Sequence, residues 1–386
     1  MYIQNGPYLQ DAKKDSIVIS WETDEIATSE VHVYDTYHPH VLMDKPPIYG
    51  DAKIYKGETG TLHRVCVDGL CAGTDYCYSV HSQNECGLVS TKIFSFRTAP
   101  EETTTFSFVL TSEHGGAGDA SLPHTVSIIE LIRRERPDFI QSVGDILLDG
   151  RDASQWNFWF FKPFQKLLCN TPFYPCVGNH EVGSNAVKDC DIESAYANYE
   201  KYFVFPRNYS FDYGCAHFCV LDCPSMFEEI ISTETDSYQP VLKENFTNRE
   251  AYQFLEQDLK TTSARWKFVV FHYPPYASAQ YEVPELRVFA PLFEKYGVDI
   301  VFNSHAILYE RSHPIKNGQF DPNGVRYILT GGFADVDRWF WDKSNGLSAK
   351  RAARPNYVRV AITPESLELQ AVDWEGKLFD TLNLKK

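Results

Sequence analysis

Between Ser16 and Thr98 the chain alternates apolar and polar residues in short runs, as in Ile17-Val18-Ile19-Ser20-Trp21, Glu30-Val31-His32-Val33-Tyr34 and Tyr76-Cys77-Tyr78-Ser79-Val80. Turn residues separate the runs at short intervals and no helical period emerges, which predicts antiparallel strands folded as a β-sandwich. Thr98-Ala99-Pro100-Glu101-Glu102 is a polar break. Beyond it, apolar strands alternate with amphipathic helices, the pattern of an α/β domain. Pro123 behind Ser121 starts a helix with Val126, Ile129 and Ile132 on one face, and Pro137 ends it before the strand Phe139-Ile140-Gln141-Ser142-Val143. Trp156, Phe160, Phe164 and Leu167 step at three- and four-residue spacing, a core-facing helix rather than a ligand platform. Thr247 and Glu250 form a capping box for a helix burying Tyr252, Leu255 and Leu259, which leads into the strand Lys267-Phe268-Val269-Val270-Phe271.

Four apolar runs end in a metal-capable residue. Val143 leads into Gly144-Asp145, Val177 into Gly178-Asn179-His180-Glu181, Phe271 into His272, and Phe302 into Asn303-Ser304-His305. In α/β sheets ligands gather beyond the carboxyl ends of strands, so Asp145, Asn179, His272 and His305 are expected to converge there. A carboxylate, an amide oxygen and two imidazoles suit one divalent first-row ion such as zinc, iron or manganese.

Composition narrows the function class. At roughly 100 to 200 residues per domain, 386 residues imply two or three domains. Thirty-six basic against 52 acidic residues give a net charge of -16, which repels phosphate backbones and anionic membranes. Neither nucleic acid nor a membrane is an expected partner. No run approaches the ~18 apolar residues of a spanning helix, and the opening lacks the pattern of a signal peptide. Of ten cysteines, four (Cys66, Cys71, Cys77, Cys86) precede the break and six (Cys169, Cys176, Cys190, Cys215, Cys219, Cys223) follow it. With sequons at Asn208-Tyr209-Ser210 and Asn245-Phe246-Thr247, this reads as a secreted or extracytoplasmic, disulfide-bonded glycoprotein whose signal peptide has been removed. Reduced buried thiols and chance sequons are the alternative, and no cysteine cluster completes a zinc pattern.

The blocks Gly144-Asp145, Gly178-Asn179-His180-Glu181, Val269-Val270-Phe271-His272 and Ser304-His305-Ala306-Ile307-Leu308-Tyr309-Glu310-Arg311 stand in an order that resembles the purple acid phosphatases within the calcineurin-like metallophosphoesterases. Gly6-Pro7-Tyr8-Leu9-Gln10 and Phe94-Ser95-Phe96-Arg97-Thr98 resemble the borders of that family's N-terminal domain. The resemblance implies a fibronectin type III-like β-sandwich over residues 1–100, followed by an α/β metallophosphoesterase sandwich over residues 101–386. It also implies two metal sites sharing Asp145, the second completed by Asn179, His272 and His305, with His180 contacting phosphate and protonating the leaving group.

The first metal site departs from the family. Its Gly-Asp-x-Gly block reads Ser112-Glu113-His114-Gly115, so the family's aspartate is replaced by Glu113, or by Ser112 if His114 is aligned with the wider family's Asp-x-His. Leu148 stands where the family's iron-binding tyrosine belongs, and Ile307 where its further histidine belongs. Neither offers a lone pair, so the second metal is expected to be weak or absent, and the protein not purple. Two functions follow. One is hydrolysis of phosphate esters with one metal, Glu113 or His114 acting as base; the other is a non-catalytic metal- or phosphate-binding, adhesion or structural protein. Tyr273, in Tyr273-Pro274-Pro275-Tyr276, and Arg338, before Trp339-Phe340-Trp341, are expected to touch substrate, with buried packing or a homodimer contact as the alternative for each aromatic group.

Overall fold

The computed structural model describes residues 1–34, 51–115, 122–183, 195–232, 238–242, 249–279, 281–333 and 346–386. Six strands come first: β1 (Ile3–Gln10), β2 (Ser16–Tyr34), β3 (Ala52–Asp68), β4 (Asp75–Asn84), β5 (Gly87–Ser90) and β6 (Phe94–Arg97). They form one antiparallel sheet in which β2 pairs with β1, β3 and β4. The alternating runs at Ile17 and Glu30 are two halves of this 19-residue strand, which is broken by register shifts between Glu22 and Ser29. Such shifts bend a strand. Ile17, Ile19 and Trp21 from one half thereby share a core with Val31 and Val33 from the other, closed by Val65, Val67, Tyr78, Val80 and Phe96.

Beyond the break the order is β7 (Phe106–Thr111), α1 (Leu122–Glu135), β8 (Phe139–Ser142), the helical run 153–168 (α2), β9 (Phe173–Tyr174), α3 (Ala197–Tyr202), β10 (Tyr209–Tyr213), β11 (Ala216–Val220), β12 (Phe227–Ser232) and β13 (Tyr238–Leu242). Then come α4 (Glu250–Thr261), β14 (Trp266–Val270), α5 (Ala290–Tyr296), β15 (Ile300–Asn303), β16 (Tyr309–Ser312), β17 (Ile315–Lys316), β18 (Gln319–Phe320), β19 (Arg326–Leu329), β20 (Ser348–Ala352), β21 (Asn356–Ile362), β22 (Ser366–Asp373) and β23 (Leu378–Lys385). One sheet has the order β23-β22-β21-β7-β8-β9 and a second β10-β11-β14-β15-β19-β16-β20. Within them β7, β8 and β9 are parallel, as are β11, β14, β15 and β19.

Aromatic rings join the two sheets. Phe108 of β7 meets Phe218, Phe268 and Phe302 of the other sheet at centroid distances of 5.1, 6.1 and 6.1 Å, and Phe139 meets Phe218 at 5.4 Å. Tilted and edge-on pairs of this kind bury large apolar area in favourable geometry. This places the carboxyl ends of both parallel sets side by side. The leading domain docks on the same body: Tyr8 donates its hydroxyl to the Tyr202 carbonyl at 2.8 Å, Tyr174 to the Ala12 carbonyl at 2.9 Å, and Lys201 pairs with Glu22 at 2.6 Å.

Several expectations change. The aromatic helix stands, with Trp156, Phe160, Phe164 and Leu167 buried. The buried face of α1 is Thr125, Ile128, Ile129 and Ile132, whereas Val126 is 47% exposed; the apolar stripe is turned away from the residue assigned to it. Helix α4 buries Leu255 and Leu259 and leaves Tyr252 half-buried, but Arg249 holds its N-cap position without a side-chain cap, so Glu250 is its first residue rather than its third. Thr247 lies outside the described residues.

The nine described cysteines are free thiols, so the disulfide expectation fails for them. Cys66 pairs with Val18 and Cys77 with Tyr34, near opposite ends of β2, while Cys169, Cys176, Cys215, Cys219 and Cys223 are buried packing residues. The sequon asparagine Asn208 is also buried, and its side-chain oxygen accepts the Asp222 N–H at 2.9 Å, a poor setting for a glycan. Cys190 and Asn245 lie outside the described residues.

Candidate metal centre

The loops after five parallel strands carry the centre: Glu113 follows β7, Asp145 follows β8, Asn179 and His180 follow β9, His272 follows β14, and His305 follows β15. His272 is the hub. Its Nε2 lies 2.9 Å from Asp145 Oδ2, 3.1 Å from Asn179 Oδ1 and 3.2 Å from His305 Nδ1. All four side chains are buried, and ligand atoms of Asp145, His272 and His305 lie within 4.8 Å of one another.

The tautomer of His272 follows from its other nitrogen. Nδ1 lies 2.8 Å from the Val143 carbonyl oxygen, which can only accept, so Nδ1 carries a proton. In the neutral ring Nε2 is then a bare lone pair facing carboxylate, amide oxygen and imidazole. A second proton or a cation relieves that arrangement. Burial alone would lower the His272 pKa, but the Asp145 charge and hydrogen bond outweigh it and push it up to about 9. Burial would raise Asp145, yet His272 and His180 hold it below the usual carboxylate range. Burial and the charge on His272 hold His305 well below the usual imidazole value. The carboxylate, two imidazoles and amide oxygen fit a divalent first-row cation, and the backbone carbonyl on Nδ1 is the orienting partner such a histidine ligand needs.

Backbone conformation at the centre is unusual. Asp145, Glu113 and His305 adopt positive φ angles of 53°, 53° and 66°, sparsely populated for residues with side chains. Two buried carboxylates hold these turns. Glu181 accepts the N–H groups of Asp145, Ile146 and Gly178 at 2.8, 2.6 and 2.6 Å. Glu113 Oε1 accepts the His305 N–H and the Ser304 hydroxyl, each at 2.9 Å. Burial, then the neighbouring Asp145 charge, pushes both acids up to about 7. Gly178 permits the close approach, because a Cβ there would lie 2.2 Å from Asp145 Oδ1.

Glu113 and His114, left open by the sequence, part company. Glu113 comes within 3.9 Å of His272 Nε2. The His114 ring is buried against Phe164 and Phe333 at centroid distances of 4.6 and 4.8 Å, neither nitrogen has a hydrogen-bond partner among the described residues, and burial pushes its pKa down to about 3. His180 keeps its ring at the surface of the centre: Nδ1 lies 2.7 Å from the Leu148 carbonyl, Nε2 lies 3.8 Å from Asp145 Oδ2, and the side chain is 28% exposed. Burial lowers its pKa less than Asp145 and the Leu148 carbonyl raise it. Tyr273, expected to touch substrate, is fully buried and packs on His305 at 4.7 Å and His272 at 5.4 Å. Arg338 lies outside the described residues. Sequence reasoning gave no role to Glu181 or Ser304, although both stand inside the quoted blocks.

The calcineurin-like phosphoesterase family matches residues 106–308, and the purple acid phosphatase N-terminal domain matches residues 7–98. Purple acid phosphatase 15 of Arabidopsis thaliana is 26% identical over 71% of this chain and 53% of its own length. The probable inactive purple acid phosphatase 1 of the same plant is 24% identical over 71% of this chain and 49% of its own. The chain thus spans about half the length of these two relatives. The structure of a purple acid phosphatase from yellow lupin (Lupinus luteus) seeds shares the fold, with a TM-score of 0.79 and 19% identity over 98% of this chain and 74% of that one. The chain belongs to the calcineurin-like phosphoesterases and carries, ahead of that fold, the N-terminal domain of the purple acid phosphatases.

Proposed function

We propose that the protein hydrolyses phosphate esters with one divalent cation, zinc, iron or manganese, held by Asp145, Asn179, His272 and His305. The observation that carries this is the convergence of three lone-pair donors on His272 Nε2 while Nδ1 is committed to Val143. When bound there, the cation polarises the phosphoryl oxygens and acidifies water. His180, with Nδ1 donating to Leu148 and Nε2 on the open side, gives a proton to the leaving oxygen as its bond to phosphorus breaks. Glu113 sits near its own pKa at neutral pH and takes a proton from the attacking water as the new oxygen–phosphorus bond forms. His114 has no part in this reading, since its ring is enclosed by phenylalanines.

A second reading, a family member that binds the ion or phosphate without turnover, is favoured by Leu148 and Ile307, neither of which can ligate a cation. Metal content per chain, then turnover of a panel of monoesters, diesters and anhydrides, separates the two. One ion and turnover that disappears in Asp145→Ala and His305→Ala supports hydrolysis; one ion without turnover of any ester supports the second reading; two ions with turnover restores the ordinary two-metal chemistry.

A further inference from the structure

Three departures from the family's metal blocks meet in one set of contacts beside His305. The His114 ring is enclosed by Phe164 and Phe333, which leaves Glu113 at the position of the family's aspartate and Ser112 at the glycine before it. The family's Gly-His-x-His block reads Ser304-His305-Ala306-Ile307, so a second glycine is also replaced by serine. We infer that Ser112, Glu113 and Ser304 act together as a latch that limits the centre to one cation: the two hydroxyls hold the Glu113 carboxylate against the backbone of His305 and so withhold it from a second ion. The inference rests on the reading above that Asp145, Asn179, His272 and His305 hold the first ion.

The contacts are direct. Glu113 Oε1 accepts the Ser304 hydroxyl and the His305 N–H, each at 2.9 Å. Ser112 Oγ lies 2.5 Å from Ser304 Oγ and 2.8 Å from the Thr330 carbonyl oxygen, which ties the pair to the end of β19. Ser112, Glu113, Ser304 and Thr330 are all buried. Gly331 makes the room. A Cβ there would lie 2.6 Å from Ser112 Oγ, 2.7 Å from Ser304 Oγ and 2.9 Å from Glu113 Cγ, and the Asn356 side-chain amide holds the Gly331 carbonyl at 2.6 Å. One bare backbone position therefore accommodates all three side chains.

The arrangement bears on a second ion through Glu113. A ligand oxygen must come within ~2.1 Å of a first-row cation. Glu113 Oε1 is instead held by two donors with its Cγ against Gly331, and it stops 3.9 Å from His272 Nε2. To ligate a second ion beside Asp145 the carboxylate would have to leave both donors, and a buried N–H and a buried hydroxyl would lose their acceptor. Leu148 and Ile307 thus account for two missing donors of the family's first site, and the latch accounts for a third.

The test counts ions. Leu148→Tyr with Ile307→His returns the two donors that leucine and isoleucine lack, and it is made both with the serines kept and with Ser112→Gly and Ser304→Gly added. Each protein is stripped, reloaded with zinc or iron and analysed for metal per chain, with a thermal melt to check folding. The wild type and the variant that keeps its serines should hold one ion. Removing the serines should add a second ion, bound at least about tenfold tighter than any second ion in the serine-containing variant, and should bring out the phenolate-to-iron(III) charge-transfer band. Where the variant with all four changes does not fold, Ser304→Gly alone in the same background carries the comparison, because Ser304 is the hydroxyl that Glu113 accepts. Two ions in Leu148→Tyr/Ile307→His with the serines in place overturn the inference, as does a folded variant without them that still binds one. Neither result touches the one-ion reading of the wild type, whereas a wild type that binds no ion defeats that reading and the latch with it.

Discussion

The carboxylate of Glu181 accepts the backbone N–H of Asp145 at 2.8 Å, so a fully buried acid fixes the left-handed turn that aims the Asp145 carboxylate at His272. The same carboxylate serves Ile146 and Gly178. Glu181→Ala leaves three N–H groups without their acceptor and is expected to cost about 3 kcal/mol or more in folding stability. Zinc affinity should fall with it, although Glu181 is not a ligand. Glu181→Gln keeps one acceptor oxygen and should lie between. Denaturant melts and competitive zinc titrations check both variants; wild-type affinity in folded Glu181→Ala would show that the turn holds itself.

Ion binding should also be coupled to protons. His272 is held up at about 9, chiefly by Asp145 against the opposing effect of burial, so near neutral pH its Nε2 carries a proton that a cation must displace. Zinc affinity should therefore rise by about tenfold per pH unit as pH increases toward 9. Calorimetry in buffers of different ionisation enthalpy should report close to one proton released per ion. His272→Ala should lose both the binding and the released proton, whereas Asn179→Ala, lacking only a neutral oxygen donor, should retain weakened binding.

Loading with iron should leave the protein without an intense visible charge-transfer band. The family position for the phenolate holds Leu148, which has no oxygen to give an iron ion. An absorption spectrum of the iron-loaded protein decides. A strong band that disappears in Tyr273→Phe would make Tyr273, whose ring packs on His305 at 4.7 Å, the unexpected donor.

The strand ends were readable in the sequence because each apolar run stops at a residue that can bind a cation, and the helix of Trp156, Phe160, Phe164 and Leu167 because its period is long and aromatic. The choice between Glu113 and His114 was not readable. Both follow the same buried strand, and the choice depends on a turn whose clamp reaches His305, 192 residues away in the chain. The cysteines misled for a related reason: spacing along the chain does not distinguish a buried thiol from half of a disulfide. Val126 keeps helical spacing with Ile129 and so reads as core, but Ile128 and Thr125 are the residues buried. The bend that makes β2 one strand rather than two comes from its pairing partners.

His217 makes a pH-sensitive contribution to stability well away from these loops. Its Nδ1 lies 2.8 Å from Asp212 and its Nε2 2.7 Å from Asp258, so the ring ties the β10–β11 hairpin to α4. Burial lowers its pKa, but the hydrogen bonds and charges of the two carboxylates outweigh that and raise it from 6.5 to about 9. Because the folded value exceeds the unfolded one, the stabilisation is fully present below pH 6.5 and is lost as pH rises through about 9. Its size is about 3 kcal/mol at most, reduced because Asp212 is 73% exposed and water screens that half of the clamp. Urea melts from pH 6 to 10, roughly spanning the two values, should show stability falling in the wild type and a flatter profile in His217→Gln. A wild-type profile as flat as the variant's would mean that the ring is neutral between its two acids.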